Sequence, residues 1–331
     1  MRSEAPLRLG SRKSPMAIAQ SGGVARLVTE GTGRRVEIVG VSTHGDVSQE
    51  QLTQIGGTGV FVSALREALL RGEVDFAVHS LKDLPTGAAP GIALAAIPVR
   101  DDPRDSLVGR DGAKLADLAP GARIGTGSPR RAAQIALLRS DVSCVPIRGN
   151  ANTRLAKLRD GEVDAVVLAY AGLARIGRTE LVSEIFEPDD MVPDPGQGAL
   201  AVECRTDDVA LAALLATIDH PVTRSAVTAE RTLLAALEAG CSAPVGAYAF
   251  SQAGTNLLRL DAIVLGTAAA SFSPGAVDSA PPGGRMVIRE RGEADAVDAA
   301  RLGRELAARM LGLGAAGLMR AETINGNDGH D

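Results

Sequence analysis

The N-terminal part of the chain alternates short apolar runs with amphipathic stretches whose apolar residues recur at helical spacing. The apolar runs predict strands, at 7–10, 35–41 and 74–78. The amphipathic stretches predict helices, at 14–30 and 60–70. Ser14 and Pro15 suit the N-cap and the first position of the first helix. Strands that alternate with helices in this way indicate a mostly parallel sheet covered by helices.

Two pairs of similar segments recur in the same order along the chain. RLGSRKSPMAIAQ begins at Arg8 and RIGTGSPRRAAQ begins at Arg123. In both, a short strand leads to Ser-Pro, and a glutamine follows five residues after the proline. GEVDFAVHSL from Gly72 and GEVDAVVLAY from Gly161 form the second pair. Two pairs of similar segments that recur in the same order along the chain predict two α/β domains of the same type.

Proline-rich breaks at 98–104 and 192–198 suggest where these domains end. A predicted strand at 199–204 and a helix to about 218 follow the second break and are assigned to the first domain. We therefore predict three domains, namely 1–98 with 199–218, then 104–193, and a small α/β domain at 221–331. The third domain is predicted to contain helices at 223–239 and 295–311, strands at 245–250, 257–265 and 285–289, and an exposed loop at 267–284.

Composition narrows the class of protein. The chain has 331 residues, of which 45% are apolar, so it can bury a sizeable core. A formal net charge of −5, aromatics of only 2% and no Trp disfavour a nucleic-acid binder. Cys144, Cys204 and Cys241 show neither disulfide nor zinc spacing, so we expect a reducing compartment and no metal. Without an apolar N-terminal signal or a run of spanning length, we expect a cytosolic protein with no membrane partner.

Basic residues stand at both Ser-Pro helix starts. Arg12 and Lys13 precede one start, and Arg130 and Arg131 lie just inside the other. Cations oppose the helix dipole at that end, so a bound anion explains their placement better than the alternative, which is that they are solvated surface charges. Further arginines occupy predicted strand ends and turns, at Arg148, Arg154 and Arg175. A local basic set in an acidic protein favours a small ligand with several carboxylates.

The residues alone leave the roles of Asp83 and Cys241 open. Asp83 follows a predicted buried strand, where ligands bind in doubly wound sheets, but it also suits a turn-capping role before Pro85. Cys241 follows Gly240 past a predicted helix C-terminus, where the dipole does not favour a thiolate. For such a cysteine, packing as a small apolar side chain is the better interpretation.

These segments also make the chain resemble the porphobilinogen deaminases, or hydroxymethylbilane synthases. The shared motifs are SRKSPMA at Ser11, VHSLKDLP at Val78, GTGSPRR at Gly125, RGNANTRL at Arg148, PGQGAL at Pro195 and GCSAPVG at Gly240. They follow the family's order over nearly the whole chain. The resemblance implies a monomer of the α/β class, with two domains like those of type II periplasmic binding proteins, an active-site cleft between them, and a small α/β C-terminal domain.

The resemblance implies that four porphobilinogen molecules are condensed, with loss of ammonia, on a dipyrromethane primer, and that hydrolysis releases hydroxymethylbilane. The primer would be joined by a thioether to Cys241. Asp83 would contact pyrrole N–H groups and act in catalysis. The residues matching cofactor-carboxylate positions are Lys82, Thr126, Ser128, Arg130, Arg131 and Arg154. Those matching positions for the acetate and propionate groups of the substrate are Arg12, Ser14, Arg148 and Arg175.

The chain departs from the family at Gln54 and Thr58, where many members carry lysine, so any lysine role in the 42–59 stretch is altered here. The 267–284 loop resembles an insertion without an assigned function. Two other functions are alternatives. A non-catalytic module that binds an anionic small molecule would suit the paired α/β units. A phosphate-handling transferase lacks a Walker motif and an evident carboxylate set for magnesium.

Overall fold

The computed structural model describes residues 5–41, 59–239, 243–252, 254–266 and 287–320. The predictions for Cys241, Gln54, Thr58 and the 267–284 loop lie outside these residues. The described strands are β1 (Leu7–Ser11), β2 (Val36–Gly40), β3 (Phe76–Ser80), β4 (Ile92–Ala96), β5 (Asp105–Gly109), β6 (Arg123–Thr126), β7 (Ser143–Pro146), β8 (Ala165–Ala169), β9 (Glu184–Ile185), β10 (Leu200–Arg205), β11 (Val245–Ser251), β12 (Leu257–Leu265) and β13 (Val287–Asp295). The described helices are α1 (Pro15–Thr32), α2 (Gly59–Leu70), α3 (Pro129–Leu138), α4 (Ala151–Arg159), α5 (Tyr170–Arg175), α6 (Val209–Leu215), α7 (Pro221–Ala236), α8 (Ala299–Gly312) and α9 (Ala315–Arg320).

The first sheet has the strand order β2-β1-β3-β10-β4. Strand β1 lies parallel to β2 and β3, whereas β10 runs antiparallel to β3 and β4. The segment that follows the second proline-rich break therefore does return to the first sheet, with Leu200 opposite Ser80. Apolar side chains from α1, α6 and the sheet form one buried core, which includes Leu9, Phe76 and Leu215.

The second sheet repeats this arrangement, with the order β7-β6-β8-β5-β9 and β5 as the antiparallel strand. The segments that echo each other in the sequence occupy equivalent strands. The backbone N–H of Arg8 donates to Asp75 Oδ2 at 2.7 Å, and that of Arg123 donates to Asp164 Oδ2 at 2.8 Å. Each aspartate N–H in turn donates to the backbone carbonyl of the same arginine at 2.8 Å. The repeated GEVD and Arg residues thus make the same pair of contacts in both sheets.

The third sheet is antiparallel, with the order β11-β12-β13, and packs against α8 through Leu258, Leu260, Leu306 and Met310. Here the predicted bounds were wrong, because the strand predicted at 285–289 extends to Asp295 and the helix begins at Ala299. Exposed positions alternate along β13, and charged residues occupy them. A run with so few apolar residues lacks the signal that predicts a strand.

Contacts group the chain into two compact units, 1–101 with 196–224 and 102–195 with 225–331. The second unit contains both the second and the third sheet. The predicted α/β class with a small C-terminal sheet is confirmed. The three domain boundaries proposed from the sequence stay a prediction. None of the helices in the described residues is long and apolar enough to cross a membrane.

Candidate functional site

In the second unit, the predicted site residues gather at one edge of the second sheet. Strands β6, β7 and β8 are parallel, so their carboxyl ends meet at the same edge. The residues that follow β6 are Ser128, Arg130 and Arg131, with Thr126 as the last residue of that strand. Arg148 and Arg154 follow β7, and Arg175 ends the helix after β8. The fold therefore brings this set to one edge of the sheet.

A buried cluster of two arginines and one aspartate lies at this edge. Asp105 begins the antiparallel strand β5 and is fully buried. Its Oδ2 accepts from Arg130 Nη2 at 2.8 Å, while its Oδ1 accepts from Arg131 Nε at 3.0 Å. The exposed fractions of Arg130 and Arg131 are only 2% and 6%. The two arginines are thus held by the protein core, and their side chains are not solvated surface charges.

Two guanidinium groups share one carboxylate, and both belong to the first turn of α3, where the helix dipole adds partial positive charge. Burial of an ion costs several kcal/mol unless it is paired. Arg130 Nε is also buried and makes no hydrogen bond to any described residue. This helix start with its buried guanidinium groups suits an anionic ligand.

Arg154 extends the positive region. Its Nε donates to the Gly149 carbonyl at 2.9 Å. Its Nη2 lies close to Gly127, 3.7 Å from the position that a Cβ on this glycine would take. Burial lowers the pKa of Arg154, and repulsion from Arg131 lowers it further. These arginines therefore lie close enough to repel one another. The donor set fits a ligand with several carboxylates, such as a dipyrromethane cofactor.

Two hydroxyl residues shape the start of α3. Ser128 caps the helix, since its Oγ accepts from the Arg131 N–H at 3.4 Å. Thr126 is fully buried, and its Oγ1 accepts from the Ser128 N–H at 3.2 Å. These bonds fix the turn from which Arg130 and Arg131 project. Elsewhere along this edge, Arg148 is exposed and Arg175 is half-buried.

In the first unit, the predicted residues lie at the equivalent edge of the first sheet. Arg12 and Ser14 follow β1, and Ser14 caps α1 by accepting from the Ala17 N–H at 3.3 Å. Lys82 and Asp83 belong to a short 3-10 turn that follows β3 directly. Because β1 and β3 are parallel, both pairs lie at the carboxyl-end edge of this sheet. All four side chains are half-buried.

Gln197 fixes the Lys82 side chain. Lys82 Nζ donates to Gln197 Oε1 at 3.0 Å, and the Gln197 carbonyl accepts from Arg100 Nε at 2.7 Å. Gln197 is fully buried. Gly196 next to it has a φ of +78°, and a Cβ there would lie 3.3 Å from the Lys82 nitrogen. The PGQG segment therefore packs closely against the turn that carries Asp83.

Asp105 and Gln197 belong to the site but are not among the residues predicted from the sequence. Gln197 lies within the PGQGAL motif, so the motif contained a signal that was not used. Asp105 had no such signal, because its partners are 25 and 26 residues away and its role depends on burial. The described cysteines, Cys144 and Cys204, are both buried. Burial raises the pKa of the Cys144 thiol to about 12, which makes it a poor nucleophile at neutral pH.

Most of the chain matches two protein-family models. Residues 7–213 match the model described as "Porphobilinogen deaminase, dipyromethane cofactor binding domain". Residues 224–271 match the model described as "Porphobilinogen deaminase, C-terminal domain".

Individual relatives agree with these matches. Porphobilinogen deaminase 1 of Streptomyces coelicolor is 56% identical over 323 residues, which are 96% of this chain and 98% of that protein. Porphobilinogen deaminase of Thermobifida fusca is 61% identical over 266 residues, covering 80% of this chain and 83% of that protein. Among solved structures, the methionine-binding protein MetQ gives a TM-score of 0.41 at 10% identity, covering 64% of this chain and 89% of MetQ. A score this low carries no argument about function.

Proposed function

The chain belongs to the porphobilinogen deaminase family, and on that premise we propose how its own residues carry out the reaction. The protein is a transferase of tetrapyrrole biosynthesis. It condenses four porphobilinogen molecules, with loss of ammonia, and releases hydroxymethylbilane by hydrolysis. The comparisons give no support to the alternative of a non-catalytic anion-binding module.

The buried Arg130–Asp105–Arg131 cluster is the observation that carries the proposal. It places two buried guanidinium groups at the start of α3, and Arg130 Nε makes no hydrogen bond to any described residue. Carboxylates of a cofactor are suitable partners for such groups. In this proposal Arg130, Arg131 and Arg154 bind those carboxylates, and the remaining contacts come from Lys82, Thr126 and Ser128. Rigid, buried arginines suit this role because their guanidinium forks are oriented before the ligand arrives.

The cofactor is a dipyrromethane group held through a cysteine, and when bound it supplies the pyrrole carbon to which the first substrate is joined. We assign the attachment to Cys241. The buried positions of Cys144 and Cys204 support this choice, because neither thiol is accessible for a thioether. The raised pKa of Cys144 supports it further, because the thiolate is the reactive form.

Asp83 is proposed as the catalytic carboxylate. A carboxylate accepts hydrogen bonds from pyrrole N–H groups, and it stabilises positive charge that develops when ammonia leaves the substrate. It can then hold the proton that is lost when the new carbon–carbon bond forms. The Lys82–Gln197 bond and the close packing of Gly196 hold the turn on which Asp83 lies. Arg12, Ser14, Arg148 and Arg175 are proposed to bind the acetate and propionate groups of the substrate.

Substitution of Asp83 tests the catalytic role. Asp83→Ala should give a folded protein that forms almost no hydroxymethylbilane, because the charge that stabilises the cation is lost. Product formation and ammonia release are measured together on the purified protein. Thermal unfolding is the control, and it shows whether the variant is folded when its activity is measured. Turnover near the wild-type rate would exclude Asp83 as the catalytic carboxylate.

We further propose that the enzyme works as a monomer in the cytoplasm, with porphobilinogen as its substrate and no nucleic-acid or membrane partner. The acidic net charge of −5 and the low aromatic content support the absence of a nucleic-acid partner. Light scattering on the purified protein tests the monomer directly.

A further inference from the structure

A buried glutamine of α3 holds the backbone of the segment 188–193. Gln134 Oε1 accepts from the Val192 N–H at 2.8 Å, and Gln134 Nε2 donates to the Val192 carbonyl at 3.1 Å. The exposed fraction of both residues is 1%. Since an amide side chain offers one acceptor and two donors, it pairs with Val192 much as a neighbouring strand would. The sequence echo singled out Gln134, but none of the roles proposed above uses it.

The same carbonyl also anchors an arginine of the proposed cofactor site. Arg130 Nη1 donates to the Val192 oxygen at 2.7 Å, while its Nη2 binds Asp105. The Arg130 guanidinium is therefore held at two points, one of which is Val192. A shift of the Val192 backbone would move or release one end of that guanidinium.

On its other side, the segment 188–193 packs against the third sheet. The Ala247 N–H donates to the Pro193 carbonyl at 2.9 Å. A Cβ at Gly246 would lie 2.8 Å from the Val192 oxygen, so only glycine allows this approach. Arg289 donates to the Asp189 carbonyl at 2.7 Å. The segment therefore contacts α3 through Gln134 and Arg130, and β11 through its Ala247 and Gly246.

We propose that Gln134 is a positioning residue that fixes the segment 188–193, and thereby sets Arg130 and strand β11 relative to each other. The inference rests on the proposed function, in which Arg130 binds the cofactor and Cys241 carries it. Gln134 would thus control how precisely Arg130 is placed to bind the cofactor.

The test compares cofactor loading in two variants of the full chain purified without primer. Gln134→Leu keeps the side-chain volume but removes both bonds to Val192. Ser183→Ala is the matched control, since Ser183 accepts from the Gly109 N–H at 2.9 Å at the opposite end of β5. Each protein is mixed with hydroxymethylbilane well below its melting temperature, and intact mass follows the covalent adduct, a four-pyrrole increment that forms with loss of water.

Gln134→Leu should load on the order of tenfold more slowly than wild type, because small misplacements of a positioning group cost up to about 100-fold in rate. Ser183→Ala should melt at a lower temperature than wild type but load at the wild-type rate. A purely structural role of Gln134 would lower the melting temperature and leave loading unchanged, as in the control. That result would overturn the positioning role.

Arg289→Ala keeps the inference testable if Gln134→Leu does not fold. Arg289 is partly exposed and holds the same segment from the side of the third sheet, so its loss should slow loading in the same direction but less. Wild-type loading in Arg289→Ala would then refute the inference. Failure of the wild-type protein itself to load would instead refute the proposed function, and the role of Gln134 with it.

Discussion

A buried arginine is informative because its charge must be balanced where it lies. Arg130 and Arg131 could have been solvated surface charges near a helix start. Instead, both reach inward to Asp105 and are buried. Replacement of a buried ion pair by apolar residues is often tolerated, whereas removal of one partner costs about 3–5 kcal/mol. Two buried guanidinium groups at a helix start suit a ligand that brings negative charge.

Arg130→Leu combined with Arg131→Leu should prevent stable attachment of the primer. The double variant leaves the Asp105 carboxylate buried without these partners, so it should also be less stable. A triple variant that adds Asp105→Asn removes this charge and should recover much of the lost stability. Intact mass then measures primer loading in both proteins. A triple variant that melts near the wild-type temperature and carries a full complement of primer would refute the assignment of the two arginines.

At the scale of elements, a second buried network joins α2, β10 and β3. Arg66 donates to both carboxylate oxygens of Glu203, at 2.9 and 2.7 Å, and His79 Nε2 lies 3.2 Å from Glu203 Oε2. The exposed fraction of Glu203 is only 2%. Burial by itself would raise the pKa of Glu203, but His79 and Arg66 outweigh it and bring the pKa to about 2. The network fixes α2 over the strand that leads to Asp83.

The lowered pKa predicts how stability depends on pH. A carboxyl whose pKa is about 2 in the folded protein, against 4.5 in its ordinary state, stabilises the fold above pH 4.5. That contribution, roughly 3 kcal/mol, is lost as the pH falls from about 4.5 to 2. Glu203→Gln should therefore be less stable than wild type at neutral pH, and the difference should shrink across that window. Chemical unfolding at several pH values measures it.

Glu73→Gln is the matched control for this experiment. Glu73 pairs with Arg71, but both side chains are exposed, so solvent screens the interaction and the curve should change little. If the wild-type and Glu203→Gln stability curves stayed parallel from neutral pH down to pH 2, the buried network would not be the cause of acid sensitivity.

At the scale of the whole molecule, the sequence predicted the repeated features best. The similar segments that begin at Arg8 and Arg123 predicted two similar units, because the same local pattern favours the same strand pairing. They also located the Ser-Pro helix starts correctly. Strand β13 was predicted too short, since its charged face gives no apolar signal.

The site was predictable only in part. The positions of Arg130 and Arg131 at a helix start predicted a bound anion. Their burial against Asp105 could not be predicted, because Asp105 lies on a strand that is distant in sequence. Gln197 and Gln134 act through non-local backbone contacts, which no local pattern encodes. Cys241 as the attachment point came from family resemblance alone, because an isolated cysteine after a helix has no chemical signature.

The central claim is a covalent two-pyrrole primer on Cys241, and intact mass of freshly purified protein tests it most directly. We predict a mass excess equal to two pyrrole units, located by peptide mapping on the peptide that contains Cys241. Cys241→Ser should lack this excess, while Cys204→Ser should retain it. A folded protein of unmodified mass that also fails to gain the adduct from porphobilinogen or hydroxymethylbilane would contradict the account.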